Sequence, residues 1–206
     1  MDYEPHAQPL RRQDLDPDPL QQFHAWYEAA RAAGSARPDA AALATATPDG
    51  SPSVRFVLLK SADELGFVFY TGTESRKGRE LQANPRASLC FYWHELGRQV
   101  RVEGTVGRVP DVESDRYFRS RPYGAQLSAA ASRQSEVVSG RRELVVVVER
   151  LRARHGEGTL PRPERWGGYA LTPAVYEFWQ HRDDRLHDRF RYRLDGGGWA
   201  IERLSP

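Results

Sequence analysis

Apolar and polar positions change rhythm along the chain. Leu20, Phe23, Tyr27 and Ala30 recur at helical spacing, whereas residues 41–109 alternate in short runs broken by turn residues. The helical pattern opens at Asp18-Pro19, an N-cap aspartate before a proline at the first helical position. Gln21 is placed to close a capping box, and Gly34 ends the helix. Phe23 and Trp26 are its expected anchors onto a sheet. Ahead of it, residues 1–16 are rich in proline and charge and read as a flexible arm, leaving 17–206 as a single domain.

Ala41–Thr47 and Ser53–Lys60 flank Pro48-Asp49-Gly50-Ser51, which is turn chemistry, so they predict a hairpin. Gly66–Thr71, Arg86–Trp93 and Arg98–Val109 follow as strands, the last with Gln99, Arg101 and Glu103 alternating against valines. Helices are expected at about 74–84, 111–120 and 139–155, and closing strands near 168–179, 189–194 and 198–204. The alanine- and serine-rich stretch 125–132 reads as a loop. Short strands with tight turns predict a mainly β fold with flanking helices, an antiparallel barrel of the α+β class. No glycine-rich fingerprint follows any strand, which counts against a dinucleotide-binding domain.

Composition narrows the partners. Lys+Arg of 30 against Asp+Glu of 28 gives +2, and the charges are interspersed, without the basic stripe that tracks a nucleic-acid backbone. Cys90 is the single cysteine, so an internal disulfide and a thiol-rich metal site are both excluded; it reads as a small buried hydrophobe. Met1 to Gln13 lacks the apolar stretch of a secretory signal, and the longest aliphatic run, Leu144 to Val148, is too short to cross a bilayer. A soluble cytoplasmic protein with no membrane or nucleic-acid partner is expected.

Four places carry chemistry. Glu74-Ser75-Arg76-Lys77-Gly78 puts cations in a first helical turn, where they oppose the helix dipole unless an anion binds. Arg55 and Lys60 on a preceding strand can reach the same region, although Glu74 and Glu80 offer a local offset. Tyr117 and Arg121 stand four apart on one helix face and can hold a phosphate or carboxylate; an ordinary amphipathic helix has the same spacing. Ser132-Arg133-Gln134-Ser135-Glu136 is a polar loop able to grip a heterocycle, and Trp179 can stack on a planar ring or fill the core. If residues 185–189 are extended, Arg185, His187 and Arg189 share a face and ask for an anionic ligand. A solvated edge strand paired with Asp183, Asp184 and Asp188 fits that pattern equally well.

Together these motifs resemble the pyridoxine (pyridoxamine) 5′-phosphate oxidases, FMN enzymes of the split-barrel class. The likeness runs from about Leu10 to Pro206. It includes Arg55 to Lys60, Phe69-Tyr70-Thr71, Ser75-Arg76-Lys77, Arg98-Gln99-Val100, Tyr117 to Pro122, Gln134-Ser135, Trp166-Gly167-Gly168, Glu177 to Gln180, Arg185 to Arg189 and Arg203 to Pro206. The resemblance implies an antiparallel Greek-key split barrel that oxidises phosphorylated B6 vitamers to pyridoxal 5′-phosphate, with O2 as acceptor and H2O2 as product. It also implies a homodimer with FMN at the interface. By the same resemblance Arg55, Lys60, Tyr70, Thr71, Arg76, Lys77, Gln99, Gln134, Ser135, Trp179 and Arg189 contact FMN. Lys60, Tyr117 and Arg121 hold the vitamer phosphate, and Arg185 and His187 flank the pyridine ring as catalytic residues, with the tautomer of His187 left open.

Three departures stand out. Ala125 replaces a serine that often helps hold the substrate phosphate, and Ser128 is near but not equivalent. The N-terminal segment is shortened so that Tyr3 has no clear counterpart, and His181-Arg182 replaces a small-residue stretch. Flavin oxidases of phenazine biosynthesis share Arg121-Pro122-Tyr123 and Ser132 to Glu136, but tend to lack the lysine and tyrosine found here as Lys60 and Tyr117. A non-catalytic flavin or pyridoxal-phosphate carrier is the third possibility.

Overall fold

A computed structural model describes residues 8–156, 158 and 160–206. The first seven positions of the expected arm, Tyr3 among them, lie outside the described residues. The described elements are α1 (Pro19–Ala32), β1 (Ala40–Ala46), β2 (Pro52–Leu58), β3 (Ser61–Asp63), β4 (Gly66–Gly72), α2 (Arg76–Ala83), β5 (Arg86–Trp93), β6 (Arg98–Arg108), α3 (Asp111–Ser120), α4 (Tyr123–Ala131), α5 (Arg141–His155), β7 (Trp166–Gln180), β8 (Asp188–Asp195) and β9 (Gly198–Arg203).

The strands form one antiparallel sheet, ordered β2-β1-β5-β6-β7-β4-β3, with β8 and β9 added beside the second half of β7. This is the antiparallel barrel of the α+β class expected from the short alternating strands, in the split form that the resemblance implies. The long strand β7 pairs with β6 along one edge and serves two partners on the other, β4 along 166–172 and β8 along 175–180. A register shift at Glu103/Gly104 lets β6 follow it. A Cβ at Gly104 would overlap the carbonyl oxygen of Thr172, so the bulge needs glycine there.

Alternation decides the two faces. Val100, Val102, Tyr176, Phe178, Phe190 and Tyr192 point inward and are buried, while Gln99, Arg101, Glu177, Trp179 and Arg189 point out. Helix α1 closes the inward side: Phe23 meets Phe67 and Phe91 at 4.8 and 5.1 Å between ring centres, and Trp26 meets Phe178 at 5.2 Å.

Several local readings change. Gln21 is exposed and closes no capping box. Asp18 instead accepts the Leu20 N–H, and the buried Gln22 accepts the Asp16 N–H at 2.9 Å. The described end of the arm is docked: Leu10 and Leu15 are buried in the core, and the Leu10 N–H donates to Asp188 at 3.1 Å. Residues 125–132 are not a loop, since 123–131 form α4, where Leu127 packs beneath Phe118 and Trp166. Alanine is the strongest helix former, and one buried leucine suffices to dock so short a helix. Cys90 is half-buried on the outer face rather than in the core. Arg185 is not extended, for residues 183–185 turn and its φ is +64°, so the three-residue face of Arg185, His187 and Arg189 does not form.

Candidate active site

The residues marked by sequence fall into three clusters. The first surrounds the start of α2, where Ser75 caps the helix by accepting the Gly78 N–H at 3.3 Å and donating to the Gly72 carbonyl at 2.6 Å. Lys77 follows, almost fully buried, with its ammonium 3.1 Å from both the Thr71 hydroxyl and the Gln134 side-chain oxygen. That same oxygen accepts from the Thr71 hydroxyl and the Gly72 N–H, and the Ser135 hydroxyl accepts the Arg76 N–H at 3.2 Å. The polar loop around Gln134 is thus folded across the helix start, with Ser135 in the left-handed region at φ 77°.

Glu80, named from sequence as a local offset, is the buried counter-charge of this cluster. Arg55 and Arg76 pair with it at 3.2 and 2.9 Å, and the hydroxyls of Thr45 and Ser53 donate to it. Burial disfavours its charge, but these hydrogen bonds outweigh that cost and hold the carboxyl at about 2. Burial, then the nearby Arg55, lowers Lys77 to about 8. Arg55, Arg76 and Lys77 against one carboxylate leave an excess of two positive charges, which suits a phosphate monoester. A cavity of about 460 Å³ opens alongside, lined by Glu74, Arg133, Glu164 and Arg165.

The second cluster lies on the other side of β4, because neighbouring residues Tyr70 and Thr71 project oppositely. Tyr70 stacks on Tyr117 at 4.1 Å and on Trp166 at 5.3 Å, and the Arg121 guanidinium sits 4.9 Å over the Trp166 ring. Among the described residues, Nη1 of Arg121 and Nε of Arg165 are buried without a hydrogen-bond partner. A half-buried arginine whose Nη1 is buried and unused calls for an acceptor that the chain itself does not supply. Ala125 lies on α4 nearby, and the Ser128 hydroxyl donates to its own helix at Gly124, so it does not replace the missing serine. Lys60 is engaged elsewhere: its ammonium lies 3.7 Å from Asp39, and no hydrogen bond or ion pair joins it to Tyr117 or Arg121 among the described residues.

The third cluster stands on the outer face. Gln99, Trp179 and Arg189 are cross-strand neighbours, and the His187 ring lies 4.6 Å from Trp179 and 5.3 Å from His181. Buried Glu177 is clamped between Arg101 at 2.6 Å and Arg189 at 2.8 Å, a positioning contact that sequence reading missed. Arg185 is exposed in the turn before β8.

Within one chain the third cluster stands apart from the first two. Trp166 and Trp179 sit at the two ends of β7, thirteen rises of roughly 3.3 Å apart, or about 40 Å of strand. Arg55 shares the core-side row of Leu43, Leu89 and Val102, whereas Trp179 and Arg189 are on the opposite face. The outer face also bears large exposed apolar side chains: Val54, Phe56 and Tyr92.

The chain is similar to two family models. Residues 27–155 match "Pyridoxamine 5′-phosphate oxidase", and residues 166–206 match "Pyridoxine 5′-phosphate oxidase C-terminal dimerisation region". A pyridoxine/pyridoxamine 5′-phosphate oxidase of Rubrobacter xylanophilus is 55% identical over 96% of this chain and 91% of its own length. One from Cyanothece sp. is 49% identical over 97% and 93%. Among solved structures, PhzG from Burkholderia lata, in complex with tetrahydrophenazine-1-carboxylic acid, superposes with a TM-score of 0.91 at 36% identity, covering 97% of this chain and 99% of that one. An FMN-binding protein from Nostoc punctiforme, related to pyridoxamine 5′-phosphate oxidase, shares the fold, with a TM-score of 0.71 at 17% identity over 92% and 98%.

Proposed function

The chain belongs to the pyridoxine/pyridoxamine 5′-phosphate oxidase family, and we propose that it performs the family's reaction at a site completed by two copies of itself. It oxidises pyridoxine 5′-phosphate or pyridoxamine 5′-phosphate to pyridoxal 5′-phosphate. In net terms the alcohol and O2 give the aldehyde and H2O2, and the amine additionally takes up water and releases ammonia. FMN, when bound, supplies the two-electron acceptor that the protein's side chains lack.

One observation carries this reading: two separate clusters each ask for a phosphate. The doubly positive pocket of Arg55, Arg76 and Lys77, with Thr71, Gln134 and Ser135 around it, suits the FMN phosphate. The unpartnered Arg121 guanidinium beside Tyr117 suits the vitamer phosphate. Tyr70, and Lys60 in the short link between β2 and β3 once it turns from Asp39, would complete those two walls. Gln99, Trp179 and Arg189 would come from the second copy, Trp179 offering a flat apolar surface to the flavin ring. Arg185 and His187 of that copy would face the vitamer ring. Fixing the phosphate end orients the reacting carbon, so binding energy far from the chemistry lowers the barrier.

The homodimer is supported by the match to a dimerisation region and by the exposed Val54, Phe56 and Tyr92 on the face that carries Trp179. The similarity to PhzG keeps a tricyclic acid in view as a rival substrate. An aerobic assay of FMN-reconstituted protein separates them: aldehyde and peroxide should appear in equal amounts from the phosphorylated vitamers. Turnover of a dihydrophenazine acid with none of the vitamers, or bound flavin with no turnover at all, would overturn the assignment.

A further inference from the structure

The turn between Gln180 and Asp188 holds a contact that the oxidase reading leaves unused. Arg185 lies in the left-handed region at φ +64°, a conformation that an arginine adopts against a steric cost and that its surroundings must enforce. Three hydrogen bonds do so. The Arg185 N–H donates to the Arg182 carbonyl at 3.1 Å, and the Leu186 N–H donates to the Asp184 carboxylate at 2.9 Å. The third crosses the whole turn: the Arg182 N–H donates to Nδ1 of His187 at 3.1 Å. An imidazole nitrogen accepts only while it carries no proton, so in this arrangement the ring proton is on Nε2.

From this geometry we propose that His187 is the positioning residue for Arg185, its Nδ1 fastening the 181–187 turn, and that it works as the neutral Nε2–H tautomer. The proposal rests on the reading of Arg185 as substrate-facing, and it gives His187 a role distinct from proton transfer. The ring itself is braced by Trp179 on one side and His181 on another.

Protonation of Nδ1 would set two hydrogens against each other and open the turn. The groups facing the ring are His181 at the end of β7, Asp184 and Arg185 in the turn, and Asp188 at the start of β8, with Asp183 drawn 3.4 Å from His181. Burial opposes the charge, as do His181 and Arg185, while Asp184 and Asp188 favour it. The balance is below the ordinary histidine value. His181, where the chain leaves the family pattern, thus adds to the groups that disfavour a charge on this ring.

Two substitutions separate this role from a general one. In His187→Asn the side-chain oxygen can stand where Nδ1 stands, whereas in His187→Gln the oxygen lies nearer the place of Nε2. On flavin-loaded protein, Arg182 amide exchange should remain protected in the unmodified chain and in the Asn variant, and lose protection in the Gln variant. KM for pyridoxine 5′-phosphate should rise in both variants, since both lose the ring, and about three- to tenfold further for Gln than for Asn, the worth of one such hydrogen bond. The ring nitrogen shifts of the unmodified protein near neutral pH should be those of the Nε2–H tautomer, and this needs no variant. An Nδ1–H tautomer, an unprotected Arg182 amide in the unmodified protein, equal behaviour of the two variants, or lost protection with unchanged KM would each overturn the proposal. The spectra are read without turnover, so failure of the oxidase reading would show separately, as an inactive unmodified protein.

Discussion

At Lys77 an ammonium is held nearly out of water, with its pKa lowered by burial and by Arg55 to about 8. The sign follows from linkage: the unfolded lysine keeps its proton to about 10.5, so in ligand-free protein this group's contribution to stability is present at high pH and lost as pH falls through 8. A bound phosphate supplies the missing partner. FMN affinity, followed by flavin fluorescence, should therefore weaken as pH rises from 7 to 9.5, and Lys77→Arg should flatten that dependence. Glu80 behaves oppositely. Its folded value of about 2 lies below the ordinary 4.5, so its stabilisation is full above 4.5 and is lost as pH falls toward 2. Urea denaturation of Glu80→Gln should show a lower midpoint at pH 7 than the unmodified protein, with the gap closing in acid. At Arg121 the unused donor predicts that Arg121→Ala raises KM for the vitamer about 10- to 150-fold, since hydrogen bonds to charged groups contribute about 1.5–3 kcal/mol. Sequence could point to these cations because their type and spacing are local. It pointed to Glu80, four residues from Arg76 on one helix, but not to the pairing of Glu80 with Arg55 or of Glu177 with Arg101, because those contacts join elements distant in the chain.

Between residues and fold, α2 shows how an element sets up chemistry. Ser75 caps it, Gly78 lies so close under Thr73 that a Cβ would overlap the carbonyl, and the helix start thereby fixes Arg76 and Lys77. Ser75→Ala should cost about 1 kcal/mol of stability and weaken FMN binding together, measurable by denaturation and flavin titration. The strands were legible because alternation and turn residues are strong local signals, and β1, β2, β4, β5 and β6 lie within a residue or two of expectation. Helix α4 was not, since its apolar face is little more than Leu127 and its alanines resemble a small-residue loop. The turn before β8 escaped for another reason. The pattern Arg-x-His-x-Arg alternates as a strand does, and only the tertiary contact of His187 with Arg182 bends it.

Across the whole molecule, β7 separates what the reaction must bring together. Its start carries the aromatic and phosphate-suited clusters, and its end carries Trp179, His187 and Arg189 on the opposite face. Family resemblance named residues of both groups in one sequence. Which of them share a chain's site and which need a second chain depends on the sheet's topology, which no local pattern encodes. In the proposed dimer, closed two-fold symmetry would give two equivalent sites, each built from both chains. A direct test pairs Arg121→Ala, at one end, with Arg185→Ala, at the other. Co-expressed with different tags and purified through both, their heterodimer places both defects in one site and leaves the other intact. Its vitamer oxidase activity should recover to about half that of the unmodified dimer, while each variant homodimer stays nearly inactive. A heterodimer no more active than the mean of the two homodimers would contradict a site shared between chains.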